Sequence, residues 1–188
     1  MKTVLVSGIR VMMLALACVV MIGCSSAPAP EKHYYLLRTP DSLRTGDGQA
    51  GAQVGKVVVP AYLRSAQLAV KVSETEIRPA NFHLWAEPAP EAIERFFRLR
   101  LAAAHADVEP TAWPRVDIDI VELLGNLQGE VHLTAMYTFY EGAKSLGPPR
   151  LYTDTVRQSR DGYAGLVEAH NQLLERLAVE ISASIPGS

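Results

Sequence analysis

Cys24 is the residue of this 188-residue chain best placed to do chemistry, because it follows Met21-Ile22-Gly23 and precedes Ser25-Ser26. A small residue directly before a cysteine is the pattern of a lipoprotein leader: the sulfur receives a diacylglycerol, and the peptide bond before it is then cut. Methionine stands at position 21, where leucine is more usual, and the two are close in size and polarity. Upstream lie Lys2, Arg10 and an apolar run from Val11 to Ile22. At about 12 residues the run fits the core of a signal peptide and falls short of the roughly 20 that a membrane-crossing helix needs. Residues 1–23 therefore read as a leader to be removed, with Cys24 as the first residue of the mature chain. A secretory leader beside an incidental cysteine, or a short buried helix, is the alternative.

Other residue patterns that invite chemistry do not complete it. Gly51-Ala-Gln-Val-Gly55-Lys56 resembles a phosphate loop. It has three residues between its glycines instead of four, valine where a magnesium-binding Ser or Thr belongs, and a predicted strand where a helix should follow. His33, His83, His105, His132 and His170 show no helical ligand spacing. Asp117 and Asp119 share one side of a predicted strand, as an acid–base pair would, yet a solvated strand face accounts for them more simply. No Gly-x-Ser-x-Gly elbow is present. The segment His170 to Arg176 is one residue short of a peptidoglycan-gripping helix motif and lacks its acidic partner. The expectation is a chain with no catalytic set, no metal and no cofactor.

Acylation would make position the working property of the molecule. Each buried methylene contributes about 0.8 kcal/mol, so two or three fatty chains hold a protein to a bilayer almost permanently. An aspartate after the cysteine usually retains a lipoprotein at the inner membrane; Ser25 predicts the periplasmic face of the outer membrane instead. Residues 24–32 form a tether whose Ala-Pro-Ala-Pro run cannot enter a helix and favours an extended backbone.

Residues 33–188 are enough for one domain with a real core. Loss of Lys2 and Arg10 with the leader leaves 16 basic against 20 acidic side chains, a net charge of about −4, which argues against nucleic acid or anionic lipid as a bulk electrostatic partner. Both cysteines, Cys18 and Cys24, lie at the leader end. The mature fold is expected to be held by its apolar core without disulfides.

The elements that make up this domain are read from periodicity. Strands are predicted at His33–Arg38, Val57–Val59 and Leu68–Val72, the last two joined around Pro60, and at Glu76–Arg78 with a following segment Phe82–Trp85. Thr39–Gly55 reads as a loop. Pro88 and Pro90 open a helix over Glu91–His105, whose Ile93, Phe96, Phe97, Leu101 and Ala104 share a face. Glu91 and Glu94 suit its first turn, and Arg95, Arg98 and Arg100 are assigned to its solvated side. Alternation marks a strand from Val116 through Ile120, a second over Val131–Tyr140 after a turn at Gly125–Gly129, and a third over Leu151–Ser159, forming an antiparallel meander. A final helix spans Tyr163–Ile185. The expected class is α+β: a mainly antiparallel sheet with both helices on one face. Tyr34, Tyr35, Tyr62, Leu63 and Trp85 are either core fillers or interface anchors; Tyr62, Leu63 and Trp85 are the candidate partner contacts.

With these residues in view, the chain resembles the PqiC (YmbA) group of ABC-transport auxiliary lipoproteins. The resemblance rests on the lipobox at Cys24, Tyr34-Tyr35-Leu36-Leu37, Val57-Val58-Val59-Pro60-Ala61-Tyr62-Leu63 through Gln67-Leu68, Leu84-Trp85-Ala86-Glu87-Pro88, and Asp161-Gly162-Tyr163-Ala164-Gly165-Leu166-Val167. Pro-Ala-Tyr-Leu and Leu-Trp-Ala-Glu-Pro are its most specific pieces. It implies a non-enzymatic outer-membrane lipoprotein that docks an inner-membrane-anchored MCE-domain protein in a lipid-transport or envelope-integrity system, and that assembles as a homo-oligomeric ring. A periplasmic lipid-binding carrier is the alternative.

Overall fold

The computed structural model describes residues 29–38, 51–102 and 113–186. Cys24, the leader, residues 39–50 of the expected loop, Ala104 and His105 lie outside them. The compact unit described below is Lys32–Ser188.

Eight strands and two helices follow the chain as β1 (His33–Tyr35), β2 (Gln53–Val58), β3 (Gln67–Lys71), β4 (Ile77–Trp85), α1 (Ala89–Ala102), β5 (Arg115–Asn126), β6 (Glu130–Glu141), β7 (Lys144–Ser145), β8 (Arg150–Arg157) and α2 (Gly162–Ala183). The architecture is α+β, as the patterning predicts. β5, β6 and β8 form the expected antiparallel meander. β5 and β6 show why: Val116, Ile118 and Ile120 alternate inward opposite Phe139, Tyr137 and Ala135, and a bulge at Val121 resets the phase so that Leu123 also faces inward.

The sheet is mainly antiparallel, as expected, and it is mixed, because three of its pairings are parallel. β1 runs parallel to β4, and both β2 and β3 run parallel to β5. Alternation along a strand reports which face is buried and carries no direction for its neighbour, so parallel pairing leaves no local mark. The two short segments around Phe82 are one strand, β4, which runs through Pro79. β1 covers only its residues His83–Trp85; among the described residues the remaining edge has no strand partner on that side, where a proline is tolerated. β2 begins at Gln53, inside the segment expected to be loop.

Both helices cover one face. Ile93, Phe96, Phe97 and Leu101 of α1 and Leu166, Leu173, Leu174, Leu177 and Ile181 of α2 close over the inward side chains of β5 and β6 in a single core. Arg95 pairs with Glu87 and Arg98 with Glu94 on the exposed side of α1. Arg100 departs from the expected solvated face. It follows Phe96 and Phe97 by four and three residues, so it falls on the buried stripe, where its Nε donates to Glu175 Oε1 of α2 at 2.5 Å.

Candidate functional site

β2 and β3 share one edge of β5. β2 pairs along Arg115–Asp119 and β3 only at Gly125 and Asn126, leaving a stretch of that edge of β5 between them without a strand partner among the described residues. A single turn of 3-10 helix, Ala61–Arg64, spans this gap. Pro60 suits the start of that turn, and its carbonyl accepts the N–H of Leu63 at 3.1 Å. Leu63 is buried in the core, and the half-buried Tyr62 offers its hydroxyl to the N–H of Leu123 at 2.9 Å. Burial pushes the Tyr62 hydroxyl pKa up, with the Leu123 bond acting against it.

Trp85 closes β4 from the inside. Its ring stacks on His170 of α2 with centroids 6.0 Å apart, its backbone N–H donates to Ala66 O, and the next backbone N–H, of Ala86, donates to Tyr35 O of β1. Glu87 pairs with Arg95, and Pro88 O accepts the N–H of Ala92 in the first turn of α1. Tyr62, Leu63 and Trp85, the three candidate partner contacts, thus turn inward and spend most of their surface within the domain.

The third segment, Asp161-Gly162-Tyr163-Ala164-Gly165, starts α2. Gly162 has φ +83°, a conformation that favours glycine, and a Cβ on Gly165 would lie 1.9 Å from the carbonyl oxygen of Arg160. Tyr163 stacks on His83 at 4.0 Å between centroids; His83 stacks in turn on His33 at 5.1 Å, and its Nδ1 meets the Tyr35 hydroxyl at 2.8 Å. Burial, and then the neighbouring His33, lower the His83 pKa. The histidines that showed no spacing in the sequence are brought together as a pair by the parallel register of β1 on β4. Among the described residues no group of three or more His, Cys, Asp or Glu is placed to hold a metal.

Beside Tyr163 opens a cavity of about 320 Å³, walled by Val70 of β3, the Asn126–Gly129 turn, Gln158, Asp161, Gly162 and Leu166. Three separate segments build it, and each is fixed by backbone bonds. Asn126 Oδ1 accepts the N–H groups of Gln128 and Glu130, and Gln158 N–H donates to Gly129 O at 2.8 Å. Its size is at the lower end for small-molecule sites. Val70, Leu127 and Leu166 supply its apolar wall; Asn126, Gln128, Gln158, Asp161 and Tyr163 supply amide, carboxylate and hydroxyl groups. The aspartate pair does not form an acid–base couple here: the Asp117 carboxylate is held by the N–H of Lys56 at 3.0 Å and by Arg115 Nε at 3.2 Å.

The family model of the ABC-type transport auxiliary lipoprotein component matches residues 35–182, and the segments just described fall within that span. The chain belongs to this family. Two solved structures share the fold. One, a crystal structure of an uncharacterized protein, superposes with a TM-score of 0.66 at 18% identity, over 82% of this chain and 98% of the other. The second, protein XCC0632 from Xanthomonas campestris, gives a TM-score of 0.61 at 16% identity, over 79% and 92%. No curated protein matches the chain. As a member of the auxiliary lipoprotein family, the domain is a component of a transport system and not of an enzyme family, and its place is the cell envelope. No described helix is long and apolar enough to cross a membrane. Three sequence segments within the matched span are joints of the architecture: one fills the gap on β5, one locks β4 to α1, one starts α2.

Proposed function

We propose that this lipoprotein is the outer-membrane docking subunit of an MCE-type lipid-transport system, anchored through Cys24 and receiving the periplasmic end of an inner-membrane-anchored MCE-domain partner as a homo-oligomeric ring. The family match over residues 35–182 carries the reading. It is supported by Ser25 after the acylated cysteine, by the short proline-rich tether, and by segments that hold a rigid domain instead of assembling reactive groups. Such a subunit works by location: two bodies held at fixed places on opposing membranes bind at high effective concentration.

Crosslinking in intact cells followed by detergent extraction tests this. The expected result is a complex containing an MCE-domain protein and several copies of this chain. Extraction as a monomer with no such partner, after efficient crosslinking, would end the docking reading.

The cavity of about 320 Å³ favours one second reading, a lipid-binding carrier. Its wall is half polar, unlike a channel for acyl chains, which favours a headgroup-sized occupant. Native mass spectrometry of the purified protein would show a bound phospholipid mass if the carrier reading holds.

A further inference from the structure

The face of the sheet opposite the helices exposes apolar side chains in two places, at Val121, Met136 and Leu151 across β5, β6 and β8, and at the β1 edge, which is the one next in sequence to Cys24. His33 and Tyr35 point toward α2, where His83 and Tyr163 receive them. Successive strand residues alternate, so Tyr34 points to the other face. The alternation continues past the strand, with Leu37 buried and Leu36 exposed. Tyr34 lies opposite Leu84 of β4, and Phe82, two residues earlier on β4, shares that face. Tyr34, Leu36 and Phe82 are 63%, 58% and 38% exposed, so a contiguous apolar and aromatic patch faces solvent. Exposed Lys32 and Arg38 bracket the β1 part of it, with Glu31 the nearest carboxylate in sequence.

The chain leading into the patch indicates what covers it. Tyr34 follows Cys24 by about ten residues, and an extended backbone of that length spans at most about 35 Å. A patch kept that close to a lipid surface needs little intrinsic affinity to engage it, because the encounter is intramolecular. Tyrosine and aliphatic side chains flanked by basic residues are the composition that settles at a membrane–water interface, with ring and stem among the headgroups and cations toward anionic lipid.

We infer that Tyr34, Leu36 and Phe82 rest in the headgroup layer of the membrane that carries the Cys24 lipid, an inference that depends on acylation of Cys24. The contact sets the orientation of the domain. β1 and β8 are opposite edges of the sheet, so seating β1 on lipid directs β8 away from it.

Nitroxide labels on the full acylated chain, reconstituted in phosphatidylethanolamine–phosphatidylglycerol vesicles, test the contact. With Cys24 consumed by lipid, the mature chain has no other thiol, so Leu36→Cys, Phe82→Cys and the reference Leu151→Cys on β8 each label at one place. The expected result is an oxygen-to-nickel-chelate accessibility ratio several-fold higher at 36 and 82 than at 151, returning to the reference value at 82 when Tyr34→Asp and Leu36→Asp are added. An acylated Cys24 with both labels in water overturns the patch while leaving the anchor standing. Labels shielded from both reagents mean that protein, such as a second copy, covers the patch, and this also overturns the inference. An unmodified Cys24 by mass spectrometry removes the anchor and the inference with it.

Discussion

The Tyr62 hydroxyl accepts the backbone N–H of Leu123 at 2.9 Å across 61 residues of chain, on the stretch of β5 between β2 and β3 where no described strand pairs. A backbone donor beside a buried leucine needs a partner, and here a side chain supplies it.

Tyr62→Phe removes the acceptor and keeps the ring. Leaving the Leu123 N–H unsatisfied is expected to lower unfolding free energy by about 1–3 kcal/mol. Urea denaturation followed by circular dichroism reads this as a lower midpoint with an unchanged slope. An unchanged midpoint would mean that water replaces the hydroxyl.

His170 of α2 is buried in the domain core, neither ring nitrogen has a hydrogen-bond partner among the described residues, and burial pushes its pKa down to about 4 from 6.5. The folded domain keeps it neutral, while the unfolded chain takes up a proton below 6.5. Its contribution is therefore complete above pH 6.5, declines as pH falls, and is lost by about pH 4, a change of about 3 kcal/mol. In His170→Leu this dependence should vanish, so the stability difference between variant and wild type grows by that amount from pH 7 to pH 4. A difference independent of pH would show that the imidazole reaches solvent.

Two glycines near the start of α2 should respond unequally to alanine. At Gly165 the new Cβ meets the Arg160 carbonyl oxygen at 1.9 Å; at Gly125 it meets Leu166 Cδ1 at 2.5 Å. Backbone yields less readily than the tip of a leucine. Gly165→Ala is expected to cost about 1–3 kcal/mol or more, and Gly125→Ala less. Thermal melts of the two variants check the order, and equal losses would contradict the close approach at Arg160.

These residues also mark how far the sequence could be read. The amphipathic stripes of α1 and α2 and the alternation of Val116–Ile120 and Leu133–Phe139 fixed the helices and the meander, because a buried face imposes its period locally. What stayed hidden was pairing. Nothing in Val57 or Val70 says that both strands lie on the same edge of β5, and Pro79 disguised β4 as two fragments. The cavity had its turns in plain view, at Gly125–Gly129 and Asp161-Gly162, but their meeting depends on the tertiary fold. Tyr62, Leu63 and Trp85 stand out as aromatic and apolar side chains beside proline and turn residues, which does not reveal their direction; packing turns them inward. Arg100 was misplaced because a charged residue on a buried stripe is legible only once its partner, Glu175, comes from another helix.

Cys24→Ser, produced behind an ordinary secretory leader so that the mature end is free, separates attachment from folding. The core of the described residues is built from side chains between Leu37 and Ile185, so circular dichroism and the urea midpoint should match those of the acylated domain stripped of its membrane by detergent. Attachment should not survive. Without two or three fatty chains, each contributing about 0.8 kcal/mol per buried methylene, the patch at Tyr34, Leu36 and Phe82 offers only weak residual binding. Fractionation is expected to move most of the variant from the membrane to the soluble periplasmic pool, with salt releasing what remains. Full membrane retention after salt would show that a protein partner or another surface holds the domain in place, and the acyl anchor would lose its role as the positioning device.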